Sequence, residues 1–251
     1  MAEPIYRACE IVAQFLVRAT GTRITFMGEQ NIPAQGGAVI AINHTSYVDF
    51  LPAGLALRRR HRRLRFMIKA EMQRVKIVNF LIKKNGAIPV DRSSGADAYA
   101  SAVQALRDGE LVAVYPEATI SRSFELKDFK SGAARMAIEA EVPIVPLIVW
   151  GAQRIWTKGL PRQLGHKKVP VTVAVGEPVR AAQDVARTNE VLRESMAVLL
   201  RQVQQHYPHP AGERWVPHRL GGGAPTLDEA ARMDAEETAA RVARRTPRQS
   251  R

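Results

Sequence analysis

A histidine five residues ahead of an aspartate, in the run Asn43-His44-Thr45-Ser46-Tyr47-Val48-Asp49, is the feature of this chain with the plainest chemistry. An imidazole hydrogen-bonded to a carboxylate makes a general base, because the carboxylate selects the ring tautomer and stabilises the imidazolium that forms. Geometry sets the condition. On a regular helix five residues turn through about 500°, leaving the two side chains roughly 140° apart. The pair meets only if His44 sits in a strand-to-helix turn and Asp49 in the first helical turn. The same residues also admit a purely structural use. Ser46-x-x-Asp49 resembles a capping box, with an acid where the helix dipole favours one.

Other polar clusters sit beside apolar runs. Asn85-Gly86-Ala87-Ile88-Pro89-Val90-Asp91-Arg92 finishes a short strand with a cation, and Val114-Tyr115-Pro116-Glu117-Ala118-Thr119-Ile120-Ser121 finishes another in a polar turn. Phe129-Lys130-Ser131-Gly132-Ala133 opens a helix, whose free N–H groups suit an anion. Val142-Pro143-Ile144-Val145-Pro146-Leu147 leads into a further strand. In open α/β sheets such strand ends are where ligand sites gather.

Hydrophobic period supplies the elements that must position these residues. Apolar runs at 23–27, 38–42, 65–68, 87–90, 111–115, 144–150 and 169–175 predict strands. Helical patterns lie at 46–57, 73–84, 96–107 and 130–140, and a long amphipathic helix at about 183–206 closes the core. The runs are too apolar for a one-sided sheet, and the connectors suit crossovers. The expectation is an α/β fold: a single domain, residues 22–207, with a mostly parallel mixed sheet covered by helices on both faces. Residues 1–21 predict an amphipathic helix that either packs on the domain or lies in a membrane interface. After Pro208 a run of prolines and glycines reads as a linker. The rest of 208–251 reads as a basic tail, partly helical at 227–245 or disordered, that brings little to a core.

Lys and Arg number 37 against 24 Asp and Glu, a formal net charge of +13. Such a surface attracts nucleic acid, anionic lipid headgroups or phosphorylated substrates. The densest basic run, Arg58-Arg59-Arg60-His61-Arg62-Arg63 with Arg65, reads as a solvated face, a nucleic-acid patch or a contact for anionic headgroups. Its place just beyond the helix that carries Asp49 favours headgroups, worth about 1 kcal/mol per charge near the surface. Aromatic content of 6% and the lack of a nucleic-acid motif count against nucleic acid. No run has the roughly 20 apolar residues that span a bilayer, and Glu3, Arg7 and Glu10 interrupt any signal-peptide core. Cys9 is the only cysteine, so an internal disulfide is excluded, and His206, His209 and His218 lack metal-ligand spacing. They read as surface residues, and no metal or cofactor is expected.

Taken together and in order, the polar clusters resemble the glycerolipid acyltransferases typified by lysophosphatidic acid acyltransferase, the PlsC-like enzymes. The resemblance covers about residues 43–147. Asn43, His44 and Asp49 meet an Asn-His-x-x-x-x-Asp block, Gly86 and Arg92 a glycine–arginine block, and Val142 to Pro146 a Val-Pro-Ile-x-Pro block. The third block departs: Phe-Pro-Glu-Gly-Thr-Arg-Ser reads here Tyr115, Pro116, Glu117, Ala118, Thr119, Ile120, Ser121. Ala118 replaces a glycine, which matters if positive φ is required there. Ile120 replaces the arginine that the family uses for the substrate phosphate, and an isoleucine offers no bidentate contact. Either Arg122 substitutes, or Lys69, Arg92 and Lys130 suffice, or the acceptor is not a simple phosphomonoester.

The resemblance implies acyl transfer from an acyl-CoA or carrier thioester to the hydroxyl of a lysophospholipid, 1-acylglycerol 3-phosphate first among them. It implies His44 as general base with Asp49 orienting it, and Lys69, Arg92, Glu117, Thr119 and Arg122 as substrate-binding residues. No Gly-x-Ser-x-Gly elbow suggests a covalent acyl-enzyme. A peripheral enzyme on an anionic membrane surface, at its cytoplasmic face, is the expected setting. Another lysophospholipid or glycolipid acceptor is the alternative that Ile120 raises, and a basic nucleic-acid-binding protein the alternative from a different class.

Overall fold

The computed structural model describes residues 4–69, 86–90 and 95–245. The helix predicted at 73–84, together with Asn85, Asp91 and Arg92, lies outside them. In chain order the elements are α1 (Pro4–Ala19), β1 (Arg23–Met27), β2 (Ala38–Ile42), α2 (Phe50–Arg58), β3 (Leu64–Lys69), β4 (Ile88–Val90), α3 (Gly95–Arg107), β5 (Leu111–Val114), α4 (Gly132–Ala140), β6 (Ile144–Trp150), β7 (Pro170–Val175), α5 (Val185–Gln205) and α6 (Leu227–Arg245). The strands form one sheet in the order β1-β7-β6-β2-β5-β3-β4. Every neighbouring pair is parallel except β6 and β7.

Burial explains why these runs are strands. β2 and β6, in the middle of the sheet, are buried at every position, which is what a sheet covered on both faces demands. Alternate residues then serve opposite cores. Val39, Ala41, Ile148 and Trp150 pack towards α3, α4 and α5, through Leu106, Met136, Leu192 and Met196 among others. Ala38, Ile40, Ile42, Val145 and Leu147 pack on the other face against Ala53, Ala56 and Leu57 of α2. Each large side chain so buried contributes about 1.5–3 kcal/mol.

One stretch departs from the sequence-based expectation, and a second makes contacts the sequence did not announce. Residues 208–226 are part of the fold: Trp215, Val216 and Ala224 enter the core beside α5. His209 is half-buried rather than a surface residue, accepting the Trp150 indole N–H at 3.1 Å and packed between Tyr207 and Trp215. Pro/Gly punctuation marks irregular backbone, and irregular backbone can still bury its few aromatics. The arginine run, read from sequence as a contact for headgroups, also makes contacts within the protein, while Arg59, Arg60 and His61 stay exposed. Arg58 pairs with Glu10, Arg59 with Glu29 and Arg65 with Glu110, and Arg62 donates to the carbonyls of Pro33, Gly36 and Gly109.

α1 docks through Tyr6, whose hydroxyl accepts the Leu64 N–H at 2.9 Å, and through buried Ala13. Its other face turns Ile11, Val12, Phe15 and Leu16 to the outside, with Phe15 67% exposed. So the helix is both packed on the domain and apolar on its free side.

Candidate active site

The site is built from the carboxyl end of β2. Asn43 pins that end to β6: its amide donates to the Val149 carbonyl at 3.1 Å and accepts the Val149 N–H at 2.7 Å. The following residues are held by the loop after β6. Thr157 Oγ1 donates to the Thr45 carbonyl at 2.6 Å, Ser46 Oγ donates to the Trp156 carbonyl at 2.6 Å, and the Tyr47 N–H reaches the same carbonyl at 3.0 Å. These bonds keep residues 43–49 out of helix, so α2 begins at Phe50 and not at 46 as the apolar period suggests.

Delaying the helix lets His44 and Asp49 meet. His44 Nδ1 lies 3.2 Å from Asp49 Oδ2. The same oxygen accepts the N–H groups of Thr45 at 2.9 Å and Ser46 at 2.7 Å, while Ser46 Oγ accepts the Val48 N–H at 3.1 Å. The Ser46-x-x-Asp49 spacing thus serves the turn ahead of α2 and not a capping box, and it shares one carboxylate oxygen with the histidine contact. With Nδ1–H donated to Asp49, Nε2 is the nitrogen left to take a proton. Asp49 is fully buried, whereas the His44 side chain keeps 20% of its surface. Burial pushes the Asp49 carboxyl above its usual range, opposed by the His44 ring and by the Ser46 and Thr45 N–H groups.

The turn after β5 closes over the histidine. Tyr115 stacks on the His44 ring with centroids 4.1 Å apart. Glu117 accepts the His44 backbone N–H at 2.8 Å through one oxygen and the Lys127 N–H at 3.1 Å through the other, joining two loops. Burial raises the Glu117 carboxyl to about 7, with Asp49 adding repulsion and the His44 and Lys127 N–H groups opposing. Ala118 sits at φ 60°, in the left-handed region, as the departure from glycine at that position had raised. Its carbonyl neighbours fold the turn so that the Ser121 N–H reaches the His44 carbonyl at 2.8 Å.

His44, Tyr47, Glu117, Thr119 and Ile120 line a cleft of about 670 Å³, with Lys127 and Lys158 across it. Of the residues expected from sequence, His44, Glu117, Thr119 and Lys130 line this cleft and Asp49 stands behind His44. Ile120 is 6% exposed. Arg122 reaches the same region, but its guanidinium is paired with Asp234 at 3.2 Å and Glu237 at 3.0 Å of α6. The Lys69 side chain and Arg92 lie outside the described residues. Lys127, Lys158, Asp234 and Glu237 were not foreseen, because they come from loops and from a helix with no apolar period. One signal does announce that helix: Thr226-x-x-Glu229 is a capping box, with the Thr226 N–H on Glu229 at 2.8 Å. Among the described residues no group of three His, Cys, Asp or Glu is placed to hold a metal ion.

Comparison with known proteins shows the family and the fold. The family model described as Acyltransferase matches residues 23–150, the span from β1 to the end of β6. A 1-acyl-sn-glycerol-3-phosphate acyltransferase of Bacillus subtilis is 28% identical over 179 residues, covering 71% of this chain and 84% of its own. One from Borreliella burgdorferi is 25% identical over 198 residues, covering 78% and 74%. The fold matches the crystal structure of the 1-acyl-sn-glycerophosphate acyltransferase PlsC from Thermotoga maritima, with a TM-score of 0.66 and 20% identity over 82% of this chain and 80% of that one. With the histidine–aspartate block, the strand ends that carry it and this match over half its length, the chain belongs to the acyltransferase family, as a PlsC-like enzyme.

Proposed function

We propose that this acyltransferase moves a fatty acyl group from a coenzyme A or carrier-protein thioester to the free hydroxyl of 1-acylglycerol 3-phosphate, giving phosphatidate. The observation that carries the reading is the contact of His44 Nδ1 with buried Asp49 at the wall of the cleft. An alcohol is a poor nucleophile at neutral pH and must lose its proton as it attacks. His44 Nε2 takes that proton while the substrate oxygen bonds to the thioester carbonyl carbon. Collapse of the tetrahedral intermediate breaks the carbon–sulfur bond, and the departing thiolate recovers the proton from the imidazolium. Asp49 stabilises the charged ring in between. The names of the two bacterial relatives support the acceptor.

The setting is the surface of a membrane. No helix among the described residues is long and apolar enough to cross one. α1 instead offers the outward row Ile11, Val12, Phe15 and Leu16, the form of an in-plane anchor, at the cytoplasmic face where acyl thioesters are made available. Buried Ile120 beside His44 favours a second reading, an acceptor with another headgroup, since it offers a phosphate no hydrogen bond.

Full-length protein given acyl-CoA and lysophosphatidate is expected to release free thiol and form phosphatidate. His44→Ala should lower turnover at least about 100-fold. Undiminished turnover in that variant overturns the mechanism, and an acceptor panel in which lysophosphatidate is the poorest substrate overturns the acceptor.

A further inference from the structure

α6 lies along the cleft that holds His44, with Ala230, Ala231, Asp234 and Glu237 in its wall. Its attachment is electrostatic. Only Ala230 among its described side chains is buried, while Leu227, Met233 and Val242 are exposed. What holds it are two carboxylates. Asp234 pairs with Arg122 at 3.2 Å, Lys127 at 2.5 Å and Lys158 at 2.9 Å, and Glu237 pairs with Arg122 at 3.0 Å and Lys158 at 2.5 Å. Arg122 and Lys127 come from the loop after β5 and Lys158 from the loop after β6, and with α6 in place each is mostly buried, with side chains 13%, 27% and 16% exposed. Lys127 and Lys158 line the cleft and Arg122 stands beside them on the same two carboxylates, and three such charges packed together are costly to leave without an anion. They also stand close to the chemistry: Lys127 donates to Thr119 Oγ1 at 2.8 Å, and its backbone N–H shares Glu117 with that of His44.

We infer that Arg122, Lys127 and Lys158 form a phosphate-binding subsite of the cleft, and that Asp234 and Glu237 of α6 occupy it as an internal competitor. Two carboxylates on one helix face, three residues apart, match the charge of a phosphate dianion and use the same donors. A substrate phosphate must then displace α6, and displacement is feasible because little apolar surface is lost when the helix leaves. Burial would raise the Asp234 carboxyl, but the hydrogen bonds from Lys127 and Lys158 outweigh it and hold it below its usual range, so Asp234 carries its charge at neutral pH. The inference rests on the acyl-transfer reading for its substrate but not for its test. If α6 occupies the subsite about nine-tenths of the time, it weakens apparent phosphate affinity about tenfold.

The test measures binding, not turnover. Full-length wild type and the Asp234→Asn/Glu237→Gln variant are titrated calorimetrically with inorganic phosphate, with glycerol 3-phosphate, which stands for an acceptor, and with adenosine 3′,5′-bisphosphate, which stands for a coenzyme A donor. The variant is expected to bind inorganic phosphate about tenfold more tightly, and Lys158→Gln added to it should abolish the gain. Whichever organic phosphate gains as much identifies the source. In wild type, saturating phosphate should speed amide exchange across α6. Unchanged affinity in a folded variant overturns the inference, as does undiminished protection of α6 in wild type should the variant fail to fold. Tighter phosphate binding without any acyl transfer would uphold the subsite and reject the proposed function instead.

Discussion

Ala118 holds a left-handed backbone conformation that an L-residue with a Cβ adopts at a cost of about 1–2 kcal/mol. The turn it sits in is not free to relax, because Glu117 on one side and Ser121 on the other are both bonded to the main chain of His44. Ala118→Gly removes that strain but adds about 0.4–1 kcal/mol of freedom to the unfolded chain. The expected net gain is about 0.5–1 kcal/mol, or roughly 2 °C in melting temperature, read by calorimetry. A lower melting temperature would mean that the Ala118 methyl makes contacts worth more than the strain. Glu117 makes the second residue-scale prediction. Its carboxyl stands at about 7 in the fold, against 4.5 ordinarily, so the fold holds that proton more tightly than the unfolded chain does. The contribution is present in full below about pH 4.5 and is lost as pH rises through about 7, amounting to about 3 kcal/mol. Denaturant titration of Glu117→Gln beside wild type should show the difference moving by that order in favour of the variant between pH 4 and pH 8. A difference independent of pH would place the Glu117 carboxyl in its ordinary range.

Two elements carry more than their own packing. The segment between β2 and α2 is kept from helix by hydrogen bonds to the carbonyl and N–H of Val149 and to the carbonyl of Trp156, and that delay sets the His44–Asp49 distance. α1 has the opposite character, anchored on one face by Tyr6 and Ala13 and apolar on the other. If that outer face enters a lipid interface, each large side chain buried there adds about 1.5–3 kcal/mol. Phe15→Ser/Leu16→Ser should then lower sedimentation with phosphatidylglycerol vesicles at least tenfold. Its melting temperature should stay close to that of wild type, since both side chains are exposed. Unaltered vesicle binding would move the anchor elsewhere.

At the scale of the whole molecule, the sheet order brings distant segments to one edge. β2 lies between β5 and β6, so the turn after β5, with Glu117, meets the turn after β2, with His44. The loop after β6 supplies Lys158 from a third direction, and α6 returns from the far end of the chain to the same cleft. The net charge of +13 is distributed unevenly in its use. Arginines 58, 59, 62 and 65 tie α1, the first loop and the approach to β5 together, whereas Arg122, Lys127 and Lys158 converge on Asp234 of α6.

By itself the sequence determined what is local and periodic. The unbroken apolar runs at 38–42 and 144–150 are plain because those strands are buried on both faces, and α5 follows from a long amphipathic period with Asp184 as its cap. It also carried the His44–Asp49 pair, since the two residues lie within one turn and belong to a block with a family resemblance. Tertiary structure alone decided that α2 starts at Phe50, because the bonds that delay it come from residues more than 100 positions away. It also decided that Trp215 and Val216 join the core and that Asp234 and Glu237 sit on Arg122, Lys127 and Lys158. Such contacts depend on where loops travel, and neither hydrophobic period nor capping records where a charged side chain will find its partner.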